Sequence, residues 1–311
     1  MTSKRSELLL VIAGLVLLLV LPHILYPVFV MKALIAGLFA CAFNLMLGYG
    51  GLLSFGHAAF FGTAAYAMAH STKLWGWPFE AGLLLGVAAA AAVGVVMGVL
   101  AIRRQGIYFA MITLALSQML YFLYLQTPFT HGEDGIQSVP RGKALGFIDL
   151  SNGLNMYYTL LVVVLAGFWL IWRTVHSPFG QVLKAIRDNE PRATSLGYNV
   201  DRYKLLAFIL SAALAGLAGA LNATVFQLAS LNDVTWQHSG EVILMTLLGG
   251  VGTILGPVIG GALVVTLQNY LAASGLPVDV VIGLFFIACV LLFRRGLVGE
   301  VIAWNERRKG S

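Results

Sequence analysis

The sequence predicts an all-α fold, a polytopic transmembrane helical bundle of about ten spans with glycine-broken segments. Three observations lead there. Of 311 residues, 59% are hydrophobic and only 10% charged, against about 25% charged in a soluble domain. Mean hydropathy is +0.88. Apolar runs recur along the whole chain, and many reach the roughly 20 residues that cross a bilayer as a helix. These runs are apolar at consecutive positions, which excludes a β-barrel, whose strands alternate apolar and polar residues.

Taken in order, the expected spans are 8–25, 28–48, 52–69, 80–101, 107–126, 155–173, 204–226, 238–250, 254–272 and 277–293. The first run follows Lys4 and Arg5 as a signal peptide would. It is nevertheless long, lacks a small-residue cleavage site and is soon followed by another span, so it reads as a retained helix. Span 52–69 contains Ser54, Gly56, His57 and Gly62, and span 238–250 is short and ends in GGVG. Such interruptions are tolerated in a membrane where the backbone lines a cavity or is shielded by protein. GYGGLLSFGHAAFFG at 48–62 and GGVGTILGPVIGG at 249–261 share a loose glycine spacing. Duplication and the general recurrence of glycine turns both account for it. Cys41 and Cys289 lie inside apolar runs, where a thiol serves as a small hydrophobe, so neither a disulfide nor a metal is expected.

Charge sets the expected topology. With the N-terminus inside, Lys4, Arg5, Arg103, Arg104, Arg173, Lys184, Arg187, Arg192, Arg202, Lys204, Arg294, Arg295, Arg307, Arg308 and Lys309 are cytoplasmic. Lys73, Arg141 and Lys143 lie outside, and Lys32 snorkels near the outer end of its span. Lysine and arginine concentrate on the cytoplasmic side of membrane proteins. The bias requires an even number of spans and places both termini in the cytoplasm. It also accounts for the net charge of +6 without nucleic acid as a partner. The chain reads as one transmembrane domain, 1–311, with an outer loop at 127–154 and a charged inner loop at 174–203.

The inner loop is the most soluble-looking part of the chain. Ser177-Pro178 favours a helix start with proline at its first position. Leu183, Ala185 and Ile186 are expected on one face, and Lys184, Arg187 and Asp188 on another. Asp188 or Asn189 is placed to cap a second short helix beginning near Pro191, and Leu196-Gly197 to end it. Two short surface helices joined near Asn189 suit docking to a soluble protein; resting on anionic lipid is the plainer alternative.

Five blocks carry a family resemblance: NLMLGYGGLLSFGHAAFFGTAAY at 44–66, GIYFAMITLALSQ at 106–118, SPFGQVLKAIRDNEPRATSLGYNV at 177–200, YKLLAFILSAALAGLAGAL at 203–221 and GGVGTILGPVIGGAL at 249–263. In this order they resemble the permease subunits of branched-chain (hydrophobic) amino acid ABC transporters. The resemblance implies that 177–200 is the coupling loop to an ATPase, with Ala185, Ile186, Arg187, Asp188, Asn189, Glu190, Arg192, Leu196 and Gly197 at its core. Pro191 follows the glutamate where many relatives carry another residue. The resemblance also implies a second homologous permease, two ATP-binding cassette subunits, an external solute-binding protein and a bacterial inner (cytoplasmic) membrane. The chain has no G-x-x-x-x-G-K-[ST] loop to cradle nucleotide phosphates. ATP and Mg are therefore expected on the partner subunits, with no cofactor on this chain and no enzymatic role. No HExxH, CxxC or G-x-S-x-G motif is present either.

Candidate solute-pathway residues are the polar groups within spans: Asn44, Ser54, His57, Thr113, Gln118 and Glu241. Interhelical hydrogen bonding competes with a solute contact for each amide and hydroxyl. His57, beside Gly56 and two alanines, is a candidate for packing a close helix crossing. A carboxylate such as Glu241 is expensive within a membrane and calls for a partner or an aqueous end. The AGLAGAL run at 215–221 suits close packing within the chain or against a partner permease. Glu133 and Asp134 in the outer GEDG turn suit a docking surface or a solvated turn. Branched-chain amino acids are the leading solute, with urea, short amides and aromatic carboxylates as alternatives in the same family. A stand-alone secondary transporter or channel is the alternative of another class, and a membrane scaffold a further one.

Overall fold

The structure is a computed structural model that describes residues 14–274, 278–292 and 296–300. Lys4, Arg5, Arg294, Arg295, Arg307, Arg308 and Lys309, all part of the charge argument, lie outside the described residues, as do residues 8–13 of the expected first span. The helices are α1 Gly14–Ile24, α2 Pro27–Asn44, α3 His57–Lys73, α4 Phe79–Ala101, α5 Ile107–Gln126, α6 Gly153–Val175, α7 Pro178–Asp188, α8 Glu190–Ser195, α9 Val200–Phe226, α10 Trp236–Gly249, α11 Gly256–Ser274 and α12 Val278–Leu292. A π-helical turn, Leu45–Tyr49, continues α2. Among the described residues, five segments are long and apolar enough to cross a membrane: Pro27–Tyr49, Phe79–Ala101, Ile107–Gln126, Gly153–Val175 and Val200–Phe226.

Each expected span contains a helix, but boundaries differ. The chain over 52–56 is not helical, and α3 starts at His57. Gly51 takes a positive φ of 70°, a conformation open to glycine at no steric cost, so the apolar residues that follow cannot prolong a helix. The expected inner loop also loses both ends. Val175 completes α6, and α9 begins at Val200, capped by Asn199 Oδ1 accepting from the Arg202 amide at 3.2 Å.

The core is built on α9, which packs along α3, α4 and α2. Its small residues permit that approach. A Cβ at Gly219 would collide with the Phe61 carbonyl of α3, and Gly216 faces Ala90 and Ala64. The AGLAGAL run is thus spent on packing within this chain. On the other side α2 packs on α11, α6 and α10. Helices α4 and α5 leave apolar side chains exposed, among them Leu84, Val96, Met111, Met119 and Phe122, as lipid-facing helices do.

The outer loop is ordered by turns and by pairs of two-residue strands. β1 (Ile136–Gln137) pairs antiparallel with β4 (Leu228–Ala229), and β2 (Lys143–Ala144) with β3 (Ile148–Asp149). Arg141 Nη2 donates to the Val225 carbonyl at 2.8 Å, and Lys73 Nζ to that of Gln137 at 2.6 Å. These bonds fasten the loop to the ends of α9 and α3. A capping box between Ser230 and Asp233 opens the short 3-10 helix Leu231–Val234, where burial pushes the Asp233 carboxyl up. Glu133 and Asp134 are exposed.

Candidate functional site: a charged elbow on the glycine turns

α7 and α8 form a helical elbow. Ser177 Oγ accepts from the Gly180 amide at 3.3 Å to cap α7, with Pro178 in the first turn. Asn189 breaks the two helices: its amide donates to the Ala185 carbonyl, ending α7, and its Oδ1 accepts from the Arg192 amide at 3.0 Å, capping α8. Leu196 follows as the C-cap and Gly197 turns with φ 88°. Ile186, Ala193 and Val200 form a small core of their own, flanked by Val182 and Tyr203. Burying a side chain such as Ile186 contributes about 1.5–3 kcal/mol. The expectation for Ala185 fails. It is exposed while Leu183 and Ile186 are buried, because two positions are a 200° rotation on an α-helix with 3.6 residues per turn. Val182, one position before Leu183, takes that place.

Polar contacts fix the elbow to the bundle. Lys204, 3% exposed near the start of α9, donates to Glu190 Oε2 at 2.6 Å. Gln105 Nε2, just before α5, donates to Glu190 Oε1 at 2.8 Å. Arg187 Nη1 donates to the Gly48 carbonyl in the π turn, while its Nε and Nη2 hold Asp188 Oδ1 at 3.1 and 2.9 Å. Lys184 Nζ lies 5.5 Å from the centre of the Tyr49 ring, a cation–π distance. A cleft of about 430 Å³ opens between the elbow and the glycine turns, lined by Gly51, Gln105, Arg187, Asn189, Glu190 and Lys204 among others.

The nine expected coupling residues therefore divide in two. Ile186, Arg187 and Glu190 turn back into the bundle. Ala185, Asp188, Asn189, Arg192, Leu196 and Gly197 are exposed, Leu196 at 70%. An exposed leucine on an elbow that also exposes Asp188 and Arg192 is suited to contact with a soluble surface.

Four of the six pathway candidates gather around the α2–α3 break and are buried. Asn44 Nδ2 donates to the Thr253 carbonyl at 2.7 Å, and its Oδ1 accepts from the Gly252 amide at 2.9 Å. Ser54 Oγ accepts from the Gly56 amide, and Thr113 Oγ1 from that of Phe55. His57 Nε2 is 2.8 Å from Ser211 Oγ, whose hydroxyl donates to the Ala42 carbonyl at 2.6 Å. The one Ser211 proton is thus spent, so Nε2 carries the proton and donates. Phe43, Phe60 and Phe208 surround the ring edge-on. Gln118 is half-buried on α5. Glu241 lies at the opposite end of the bundle, half-exposed and 3.3 Å from His238 Nδ1. Among the described residues no three His, Cys, Asp or Glu side chains are grouped to hold a metal.

Lys204, Gln105 and Ser211 were absent from the expected site. Lys204 sits among the inner charges, but its partner Glu190 is 14 residues away and no local pattern marks the pair.

Apolar helices closing on one another, with ordered polar turns at both ends, define a multi-pass integral membrane protein. A family model described as the branched-chain amino acid transport system permease component matches residues 28–293, and the chain belongs to that family. It is 30% identical over 245 residues to the high-affinity branched-chain amino acid transport system permease protein LivM of Escherichia coli K12, covering 71% of this chain and 58% of that protein. LivM of Salmonella typhimurium is 29% identical over 246 residues, with the same coverage. The autoinducer 2 import system permease protein LsrC of Klebsiella pneumoniae is 28% identical over 220 residues, covering 67% and 60%. The chain thus spans about three fifths of the length of these relatives.

Proposed function

We propose that this chain is the transmembrane permease subunit of an ATP-driven ABC importer of the inner membrane. Ten spans place both termini and the α7–α8 elbow in the cytoplasm. The observation that carries the reading is the elbow itself: its exposed face is free to meet a soluble partner, and its inner face is locked to the bundle through Lys204, Gln105 and Gly48. A motor that pushes on the exposed face therefore moves the bundle. Two ATP-binding subunits, which hold ATP and Mg, bias a body made of this chain and a second homologous permease between inward- and outward-facing states. An external solute-binding protein delivers the solute to the opposite end, where Glu133 and Asp134 are exposed. Branched-chain amino acids are the leading solute, in keeping with LivM among the relatives. LsrC shows that relatives differ in what they carry, so the solute-binding partner decides the choice.

The test is purification from cells expressing the chain with its native neighbours. An ATPase subunit is expected to co-purify, and Glu190→Lys, which sets a second ammonium against Lys204, is expected to abolish uptake while the protein still inserts. Transport that persists without ATP, or normal uptake by the variant, would refute the importer reading or the coupling role respectively.

A further inference from the structure

Three breaks in the fold meet at one point. The first is the end of α2. Its π turn closes with the Gly50 and Leu52 amides both donating to the Met46 carbonyl at 3.1 Å, and the Gly48 carbonyl is bonded by Arg187. A terminal helix carbonyl needs such an outside donor, and a cation there is favoured by the helix dipole. The second break is the elbow, from which Arg187 comes. The third is the turn between α10 and α11. Asn44, one residue before the π turn and 2% exposed, satisfies both the Gly252 amide and the Thr253 carbonyl of that turn. Thr253 in turn fastens the start of α11: its Oγ1 donates to the Gly250 carbonyl at 2.7 Å and accepts from the Gly256 amide at 3.1 Å. No slack lies between these parts. A Cβ at Gly48 would sit 2.6 Å from the Gly252 nitrogen, and one at Gly51 2.7 Å from Arg187 Cγ.

We propose that Arg187 and Asn44 are positioning residues of a mechanical relay, which carries movement of the α7–α8 elbow through the π-helical end of α2 into the α10–α11 turn. The proposal rests on the importer reading for its use, and it assigns Asn44 to the moving parts of the protein instead of to the solute. A π turn suits the middle link. Its bonds reach five residues back, and π turns inserted into α-helices recur at functional sites. Displacing Arg187 shifts the Gly48 carbonyl. That carbonyl lies in the π turn that Asn44 precedes, and both side-chain bonds of Asn44 end on the 252–253 backbone. Movement applied at the exposed elbow therefore reaches α11, which packs on α2 and α10. The His57–Ser211–Ala42 bonds lie beside this path and tie α3 and α9 to the same stretch of α2.

Two measurements test the relay. In proteoliposomes carrying the chain with its co-purified partners, Arg187→Ala and Asn44→Ala are each expected to keep ATP hydrolysis near wild type while solute moved per ATP falls about tenfold, a size typical of coupling residues that touch no ligand. The double variant should be no worse than either single one, as members of one chain of contacts are non-additive. Arg187→Lys keeps a cation for the Gly48 carbonyl and should recover most of the loss. In detergent, without any partner, hydrogen exchange at the Gly252 amide should accelerate in Arg187→Ala even though that amide is bonded to Asn44. Unchanged exchange at Gly252, additive losses, or a higher solute requirement in Asn44→Ala at normal solute per ATP would each overturn the relay. If the wild-type chain brings down no ATPase, it is the importer reading that fails, and the exchange measurement judges the relay by itself.

Discussion

At the scale of single residues, His57 illustrates how a polar group inside a membrane protein earns its place by packing. Its ring fills the crossing of α2, α3 and α9, edge-on to three phenylalanines, and its Nε2 proton ends on Ser211. Removing a buried ring of this size leaves a cavity and an unpaired hydroxyl oxygen, which together cost about 2–4 kcal/mol. His57→Ala is therefore expected to lower the thermal unfolding temperature in detergent and the amount of inserted protein, with solute preference unchanged. A selective change in solute choice at wild-type protein levels would instead place His57 on the pathway. The sequence points to His57 and Asn44 as polar groups in apolar runs, but not to their partners: Ser211 and Gly252 lie 154 and 208 residues away. Glu190 is legible from the loop motif, whereas burial of Lys204 depends on the whole bundle closing over it.

Elements were more legible than residues because they depend on local chemistry. The Ser177 and Asn189 caps follow from side chains that bond their own backbone neighbours, and the Gly197 stop from a positive φ that glycine adopts freely; the helix start and the stop stand where the sequence placed them, and of the two expected caps, Asp188 and Asn189, the structure uses Asn189. The π turn was not legible. LMLGY continues the apolar pattern of α2 without a break, and the close approach of Gly48 to the Gly252 backbone joins residues too far apart in sequence for any local pattern to mark. The start of α3 was misplaced for a similar reason: hydropathy sees Leu52, Leu53 and Phe55, while the positive φ at Gly51 is invisible to it. Small-residue packing of α9 gives a test at this scale. Gly219→Ala forces a methyl into the Phe61 carbonyl, and overpacking costs about 1–3 kcal/mol. Gly240→Ala in α10 meets nothing within 4 Å and should be neutral, or stabilising by up to about 1 kcal/mol. The pair is compared by unfolding temperature in one detergent; equal effects would contradict the helix crossing described.

At the scale of the whole molecule, charge and geometry converge on a polarity of the bundle. The described basic groups assigned to the cytoplasm cluster at one end: Arg103 and Arg202 line one cleft, and Arg187 and Lys204 another. Lys73 and Arg141 are bonded into the outer loop at the other end. The glycine turns at 48–51 and 250–253 lie with the elbow, joined to it through Arg187 and to each other through Asn44. Lysine and arginine concentrate on the cytoplasmic side of membrane proteins, and the proposed orientation therefore turns the elbow end towards the cytoplasm. Single cysteines report this directly, since Cys41 and Cys289 are both buried and leave little native background. Leu196→Cys, on the exposed elbow, should react with a membrane-impermeant maleimide only in inside-out vesicles. Asp134→Cys, in the outer turn, should react only in right-side-out ones. Inverted labelling would reverse the topology, and with it the side from which a motor reaches the elbow. Labelling of both positions from one side would require an odd number of crossings between 134 and 196, the stretch containing α6, to be replaced by an even one.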